Sequence, residues 1–230
     1  MKIKCVIISF VFSAIFFSAC VSTKSINNAA LSSLKPMMSG TVVQNTDYLK
    51  LSAEDIAIQN ELVTTKRMKT YFVPAIFFWA GGESTQTDVN NQYFINLFSE
   101  VLRQKDDVYN LKSTLDDRTL EIRLIKVPNI YQYKSNWYFF FALYVYGYGA
   151  KEAFSNINSI LEVSYTIKDQ SGEELKSGQF AMDHKYVMNG IQSGSSLAGR
   201  YFQNLENELY NQSSELIGLI FDEVYKLKKN

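Results

Sequence analysis

Three side chains could supply the groups of a hydrolase: a serine, a histidine and a carboxylate. Ser196 lies in the segment GSSLA at 194–198, and the nucleophile elbow of many hydrolases needs small residues around its serine. Ala198 replaces the last glycine of that pattern. Asp183 and His184 could form an acid–base pair, but neighbours on a strand point to opposite faces, so we expect His184 on the surface. Because serine at a helix start is usually an N-cap, the sequence favours a cap from Ser193, Ser195 or Ser196 and keeps a hydrolase as an alternative.

The composition of the chain argues against a metal site and against nucleic-acid binding. The chain has one histidine and two cysteines, whereas a zinc site usually takes three or four such ligands. We therefore expect neither a metal nor a cofactor. The chain also carries 23 basic and 23 acidic side chains. This balance creates no long-range field that would attract nucleic acid, so we expect no nucleic-acid partner.

The first twenty residues, MKIKCVIISFVFSAIFFSAC, have the pattern of an export signal. Lys2 and Lys4 precede an apolar run at 5–17, and small residues follow it. The run is too short to span a membrane comfortably, although an uncleaved N-terminal anchor stays an alternative. The ending FSAC resembles the lipobox of bacterial lipoproteins, with Phe17 where most lipoboxes have leucine.

The lipoprotein resemblance implies a lipid anchor on Cys20. Its sulfur would carry a diacylglyceryl group and its nitrogen an acyl chain such as palmitate, which together hold a protein permanently on a membrane. Val21 follows the cysteine where an aspartate would signal retention in the inner membrane, so the outer membrane is favoured. Residues 21–40 contain no acid, unlike the segments of lipoproteins displayed on the cell surface. We therefore expect the periplasmic face.

The composition predicts three regions along the chain. Residues 1–19 are the signal peptide. Residues 20–40, rich in Ser, Asn, Ala and Lys, are the lipidated N-terminus and a flexible tether. Residues 41–230 are long enough for a single α+β periplasmic domain with a real core.

The first part of this domain mixes strand signals with turn signals. Short strand-like runs occur at 48–51 and 56–58, although residues 52–55 could equally begin a helical turn. Apolar and polar residues alternate over 66–79 until Pro74 interrupts them, which favours an edge strand or a bulge. We expect a loop at 80–84 (AGGES), and Thr87 and Asp88 are candidate caps for the helix that follows.

The clearest helix covers 94–102. Its apolar residues recur at the spacing of one helical face, and they are Phe94, Leu97, Phe98, Val101 and Leu102. Asn96 and Ser99 are expected on the opposite, polar face. A second stripe at 198–227 predicts either one long helix or two in succession.

Two later segments alternate as strands do. They cover 119–127 and 156–168, and the turn DQSG at 169–172 leads into a return strand that we expect to reach about residue 188. The order of elements predicts an α+β fold, with a largely antiparallel or mixed sheet, a central helix and a long C-terminal helix packed on one face.

Residues 131–149 hold ten aromatic side chains among nineteen residues. One interpretation is a strand buried on both faces, followed by a glycine-containing turn, because short apolar runs usually belong to a core. The other is a surface for a partner or a membrane interface, where Trp and Tyr are favoured. The residues of that surface would be Trp137, Tyr138, Tyr144, Tyr146 and Tyr148.

Across 66–227 the order of elements resembles small envelope lipoproteins with the α/β fold of the TolB N-terminal domain and of CsgG-like secretion lipoproteins. The residues that carry the resemblance are the helix at 94–102, the hairpin at 160–180 and the helix after it. The resemblance implies a non-enzymatic periplasmic lipoprotein that binds or helps to assemble a cell-envelope complex, with an envelope protein as partner. The alternatives are a pore-forming or secretion-channel subunit, using 131–149 and 71–79 as membrane strands, and a periplasmic hydrolase.

Overall fold

A computed structural model of the chain describes residues 46–53, 64–73, 76–89, 91–142, 145–190 and 194–229. These residues form nine strands and three helices. In chain order they are β1 (Leu49–Ser52), β2 (Thr64–Val73), β3 (Ile76–Asp88), α1 (Asn91–Tyr109), α2 (Leu111–Leu115), β4 (Thr119–Lys126), β5 (Ile130–Ala142), β6 (Val145–Asn156), β7 (Ile160–Lys168), β8 (Glu174–Asp183), β9 (Val187–Gly190) and α3 (Gly194–Lys229). The α+β class is confirmed, and the strands divide between two sheets.

The first sheet has the strand order β1-β4-β7-β8. β1 runs parallel to β4, and the other pairs are antiparallel. Alternation along β4 buries Leu120, Ile122 and Leu124 on one face. The β7–β8 hairpin turns at Gly172, whose φ of +84° is a conformation that glycine adopts without strain. The predicted strand at 119–127 and the predicted hairpin are therefore confirmed.

The second sheet is an antiparallel meander with the order β2-β3-β5-β6-β9. The predicted loop at 80–84 is wrong, because these residues lie in the middle of β3, paired with β5. The two glycines fit there because the Trp137 ring and the Asn136 side chain lie over Gly81 and Gly82, in the space a Cβ would fill. Thr87 and Asp88 are likewise the last two residues of β3, and the helix begins only at Asn91. Pro74 and residues 56–58 lie outside the described residues.

The chain passes from the first sheet to the second between β8 and β9. The return strand ends at Asp183 and does not continue to 188, and β9 pairs with β6. Asn156 holds this crossing: its Nδ2 donates to the His184 carbonyl at 2.8 Å, and its Oδ1 accepts from the Tyr186 N–H at 2.9 Å. Buried backbone groups need such partners wherever a ladder is interrupted.

The helices form a layer of their own. The apolar stripe of α1 is buried as expected, and α3 is one continuous helix of 36 residues. The two are joined by the Tyr225 hydroxyl, which donates to the Tyr109 carbonyl at 2.9 Å. Asn96 and Ser99 were expected on an exposed face but are buried. The physical reason is that α1 packs against α3 in addition to facing the core that it shares with the strands, so it is enclosed on more than one side.

Candidate functional site

The half of the second sheet nearest the helices belongs to the core. Tyr131, Tyr133 and Phe154 are buried there against α3. The ring centroid of Phe154 lies 4.8 Å from that of Tyr201 and 5.4 Å from that of Phe202. Interlocked aromatic rings at these distances stabilise a core beyond the area they bury. This cluster fixes β5 and β6 at one end.

The other half of the same sheet is exposed. We call it the distal sheet and define it as residues 76–82 of β3, 136–142 of β5 and 145–150 of β6. It contains no charged residue. Tyr138 is 47% exposed and Tyr146 is 76% exposed. The interpretation of 131–149 as a strand buried on both faces is therefore wrong: the stretch is a hairpin whose first residues lie in the core and whose far end meets solvent.

The distal sheet is nevertheless well packed within itself. The rings of Trp79 and Trp137 meet edge to face, with centroids 4.9 Å apart, and those of Phe77 and Phe139 lie 6.4 Å apart. Edge-to-face pairs satisfy the quadrupoles of both rings. The exposed apolar surface is thus presented by a regular, hydrogen-bonded sheet and not by a loose loop.

The structure brings four of the five predicted surface residues together. Trp137, Tyr138, Tyr146 and Tyr148 all lie in the distal sheet, with Trp137 half-buried and the three tyrosines exposed. Tyr144 and the lipidation candidate Cys20 lie outside the described residues. Phe141 and Val145 are also exposed but are not among the predicted surface residues. The sequence feature that could have indicated these two residues is the uncharged run at 135–150.

Asp183 and His184, two of the candidate hydrolase residues, engage separate partners. The Asp183 carboxylate accepts a hydrogen bond from the Ser159 hydroxyl. His184 follows the end of β8, and its Nε2 lies 3.5 Å from a carboxylate oxygen of Glu208. The backbone of Ser196 is in the first turn of α3, whereas its side chain is outside the described part. Asp183 and His184 are thus not paired with each other.

A buried carboxylate lies where the core meets the distal sheet. Glu152 on β6 is 8% exposed, and its Oε2 has no hydrogen-bond partner among the described residues. Burial raises the pKa of the Glu152 carboxyl, and a hydrogen bond from Tyr133 partly offsets the rise. Desolvation disfavours the charged form of a carboxyl group. Glu152 therefore lowers the stability of the fold when it is ionised.

Replacing Glu152 with glutamine should stabilise the protein in a pH-dependent way. A pKa raised in the folded state means that the wild-type protein loses stability as the pH rises above the ordinary value of about 4.3. Glu152→Gln should thus raise the free energy of unfolding at pH 7 and leave it nearly unchanged at pH 3.5. Urea denaturation of both proteins at both pH values measures this, and an equal effect at the two pH values would contradict it.

The part of the chain that the structure describes has neither a membrane-spanning helix nor a metal-binding cluster. No helix there is long and apolar enough to cross a bilayer, and no group of three or more His, Cys, Asp or Glu side chains could hold a metal ion. Comparisons of the chain with protein-family models, with curated proteins and with solved structures found no match.

Proposed function

We propose that the chain is a non-enzymatic lipoprotein, anchored through Cys20 at the periplasmic face of the outer membrane, that serves as an accessory factor of a cell-envelope complex. In this proposal the distal sheet enters the membrane to which the lipid tethers the protein. One observation carries the proposal: the uncharged segments 76–82, 136–142 and 145–150 are neighbouring strands of the same exposed half-sheet.

The energetics of exposure support a membrane contact. Three tyrosines, Phe141 and Val145 are each between 42% and 76% exposed in this small area. By strand alternation, Tyr138 and Val145 lie on one face of the sheet and Phe141, Tyr146 and Tyr148 on the other. Apolar surface exposed on both faces is unfavourable in water and usually has a partner. Aromatic residues, tyrosine and tryptophan above all, are favoured at the boundary between water and lipid. Residues 76–82, 136–142 and 145–150 carry no charged group that would have to be dehydrated on entry. The neighbouring strand β2 does carry one, because Lys69 pairs with Ala80.

The lipid anchor and the distal sheet can reach the same bilayer. Twenty-five residues separate Cys20 from Thr46, where the described structure begins. An extended chain covers at most about 3.5 Å per residue, so this segment permits a separation of up to roughly 85 Å. A permanent anchor also raises the local concentration of the distal sheet at the membrane, so a modest affinity suffices.

Photo-crosslinking of the lipidated protein in its native membranes tests the proposal. Photo-reactive residues at Tyr138, Tyr146 and Tyr148 should give lipid adducts. A photo-reactive residue at Val108, which is 78% exposed at the end of α1, is the matched control and should give none. If the three tyrosines give only protein adducts, the distal sheet contacts a protein partner and not the membrane. Equal labelling at all four positions would refute a specific contact.

A pore-forming or secretion-channel subunit is the second candidate. The observation in its favour is that β2 pairs only with β3, and residues 145–151 of β6 pair only with β5, in the described part of the chain. Because β2 and β6 run in opposite directions, β2 of one copy could continue the antiparallel meander beside β6 of another. Oxidation of a Thr70→Cys, Tyr148→Cys double variant in membranes would then give a ladder of covalent oligomers. A lone monomer band would count against this candidate.

A further inference from the structure

The face of the second sheet opposite the helices carries a groove of about 1110 Å³. One end of it is polar and includes Ser84, Lys134, Asn136 and Lys151, and the other end includes Phe78 and Tyr138. We call it the basic groove. Nothing in the function proposed above uses its polar end.

Two lysines dominate the charge of the polar end. Lys151 on β6 pairs with Asn136 on β5, and Lys134 pairs with Ala153 two residues further along, so the lysines are diagonal neighbours on one face. Both are exposed. Glu83 also borders the groove, but its strand partner is Ser135, so alternation directs its side chain to the helix-facing side.

Neutral donors lie beside the lysines. The side chain of Asn136 extends over Gly82, with Oδ1 2.7 Å from the place a Cβ would occupy. The Gln132 amide donates to the Ser84 hydroxyl oxygen at 2.9 Å, which leaves the hydroxyl hydrogen of Ser84 to be donated elsewhere. Ammonium, amide and hydroxyl donors on one surface are the groups that bind phosphate oxygens.

The position of the lysines fits the depth of a headgroup. Lys151 lies six positions after Val145 at the tip of the hairpin, which is about 20 Å along an antiparallel strand. One leaflet contributes about 15 Å of hydrocarbon, and the headgroup region lies just outside it. With the tip inside one leaflet, Lys134 and Lys151 would lie at the level of the lipid phosphates.

We propose that Lys134, Lys151 and Asn136 bind the phosphate of an anionic phospholipid of the leaflet that the distal sheet enters. This inference rests on the function proposed above, because it needs the distal sheet in the bilayer. The charge pattern supports the choice of ligand: two cations lie at the edge of an uncharged aromatic surface, as anionic headgroups lie at the edge of hydrocarbon. The binding is non-covalent and involves no reaction.

Energy transfer from the protein's own tryptophans tests the proposal. The chain has two tryptophans, and both Trp79 and Trp137 lie in the distal sheet. The lipidated full-length protein is reconstituted in phosphatidylcholine vesicles that contain a trace of acyl-labelled phosphatidylglycerol or acyl-labelled phosphatidylcholine. We expect the labelled phosphatidylglycerol to be preferred by about 25-fold, at roughly fivefold for each lysine near the membrane.

Matched substitutions separate this site from general charge effects. Lys134→Gln with Lys151→Gln should reduce the preference to about twofold or less and keep energy transfer to both labels. Lys112→Gln with Lys185→Gln removes the same charge from exposed positions elsewhere and should keep the preference. Equal losses in the two double variants would overturn the proposal.

The remaining outcomes distinguish membrane entry of the distal sheet from phosphate binding by the lysines. Energy transfer to neither label in the wild-type protein would refute membrane entry itself. Transfer to both labels without preference would refute only the phosphate site. If inorganic phosphate at matched ionic strength abolishes the preference, the site binds a soluble phosphate, and the assignment to a lipid is overturned.

Discussion

Replacing Tyr138, Phe141, Tyr146 and Tyr148 together with threonine should weaken the binding of the protein to lipid vesicles by about a thousandfold. The four side chains are between 42% and 76% exposed, so burying the rest of each in lipid contributes about 1 kcal/mol, or about 4 kcal/mol together. A tenfold change in affinity corresponds to about 1.4 kcal/mol. Flotation of a chain without residues 1–20 measures this contribution, because that chain lacks both the apolar N-terminal run and the cysteine proposed to carry the lipid.

The same variant should fold normally. Substitutions of exposed residues usually change stability by less than about 0.5 kcal/mol each, and threonine favours strands. The control replaces Val108, Ile157, Val187 and Leu219 with threonine, since these are exposed apolar residues outside the distal sheet. Vesicle binding should survive in the control. If both quadruple variants bind as the wild-type protein does, the distal sheet does not contact lipid.

Replacing Phe154 with alanine should lower the free energy of unfolding by about 3–5 kcal/mol. The Phe154 side chain is fully buried, and its ring meets those of Tyr133, Tyr201 and Phe202. Deleting a buried phenylalanine removes its transfer free energy and leaves a cavity. Because a whole domain is stable by only about 5–15 kcal/mol, chemical denaturation will detect this loss readily.

The matched control for Phe154 is Phe141 in the neighbouring strand. Phe141 is 42% exposed, so Phe141→Ala should cost about 1 kcal/mol or less. The contrast tests the division of one sheet into a core half and an exposed half. Similar losses for the two alanine variants would mean that the distal sheet is part of the core.

Sequence patterns were sufficient where a residue's environment follows from its near neighbours. The helix with its buried stripe from Phe94 to Leu102 and the strand at 160–167 were predicted correctly, because helices and hairpins are made of contacts between residues close in the chain. The turn at 169–172 was predictable for the same reason, since Gly172 adopts a conformation that few other residues tolerate.

Sequence patterns failed where distant strands decide the environment. Two successive glycines, Gly81 and Gly82, are typical of a loop. In the structure, the Trp137 ring and the Asn136 amide of β5 fill the space beside them, so the glycines fit within a strand. The end of β8 at Asp183 depends on pairing between β9 and β6, which no local pattern encodes. Asn96 and Ser99 are buried because α3, more than ninety residues later, packs against their helix.

The candidate site was predictable in part. One of the two interpretations of 131–149 was an exposed surface that includes Trp137, Tyr138, Tyr146 and Tyr148. The sequence could not decide between the two, because the exposure of these side chains depends on where the helices end over the sheet. The basic groove was missed. A signal for it was present in the sequence, since Lys134 and Lys151 bracket the uncharged run at 135–150. Only the β5–β6 register shows that the two lysines share a face.

Quenching of tryptophan fluorescence by brominated lipids is the most direct test of membrane entry. Trp79 and Trp137 are the only tryptophans of the chain, so the whole signal comes from the distal sheet and needs no label. In vesicles that carry the lipidated protein, bromine atoms on the acyl chains should quench this fluorescence strongly. Unquenched fluorescence from protein that remains attached to the vesicles would place the distal sheet in water and contradict the account.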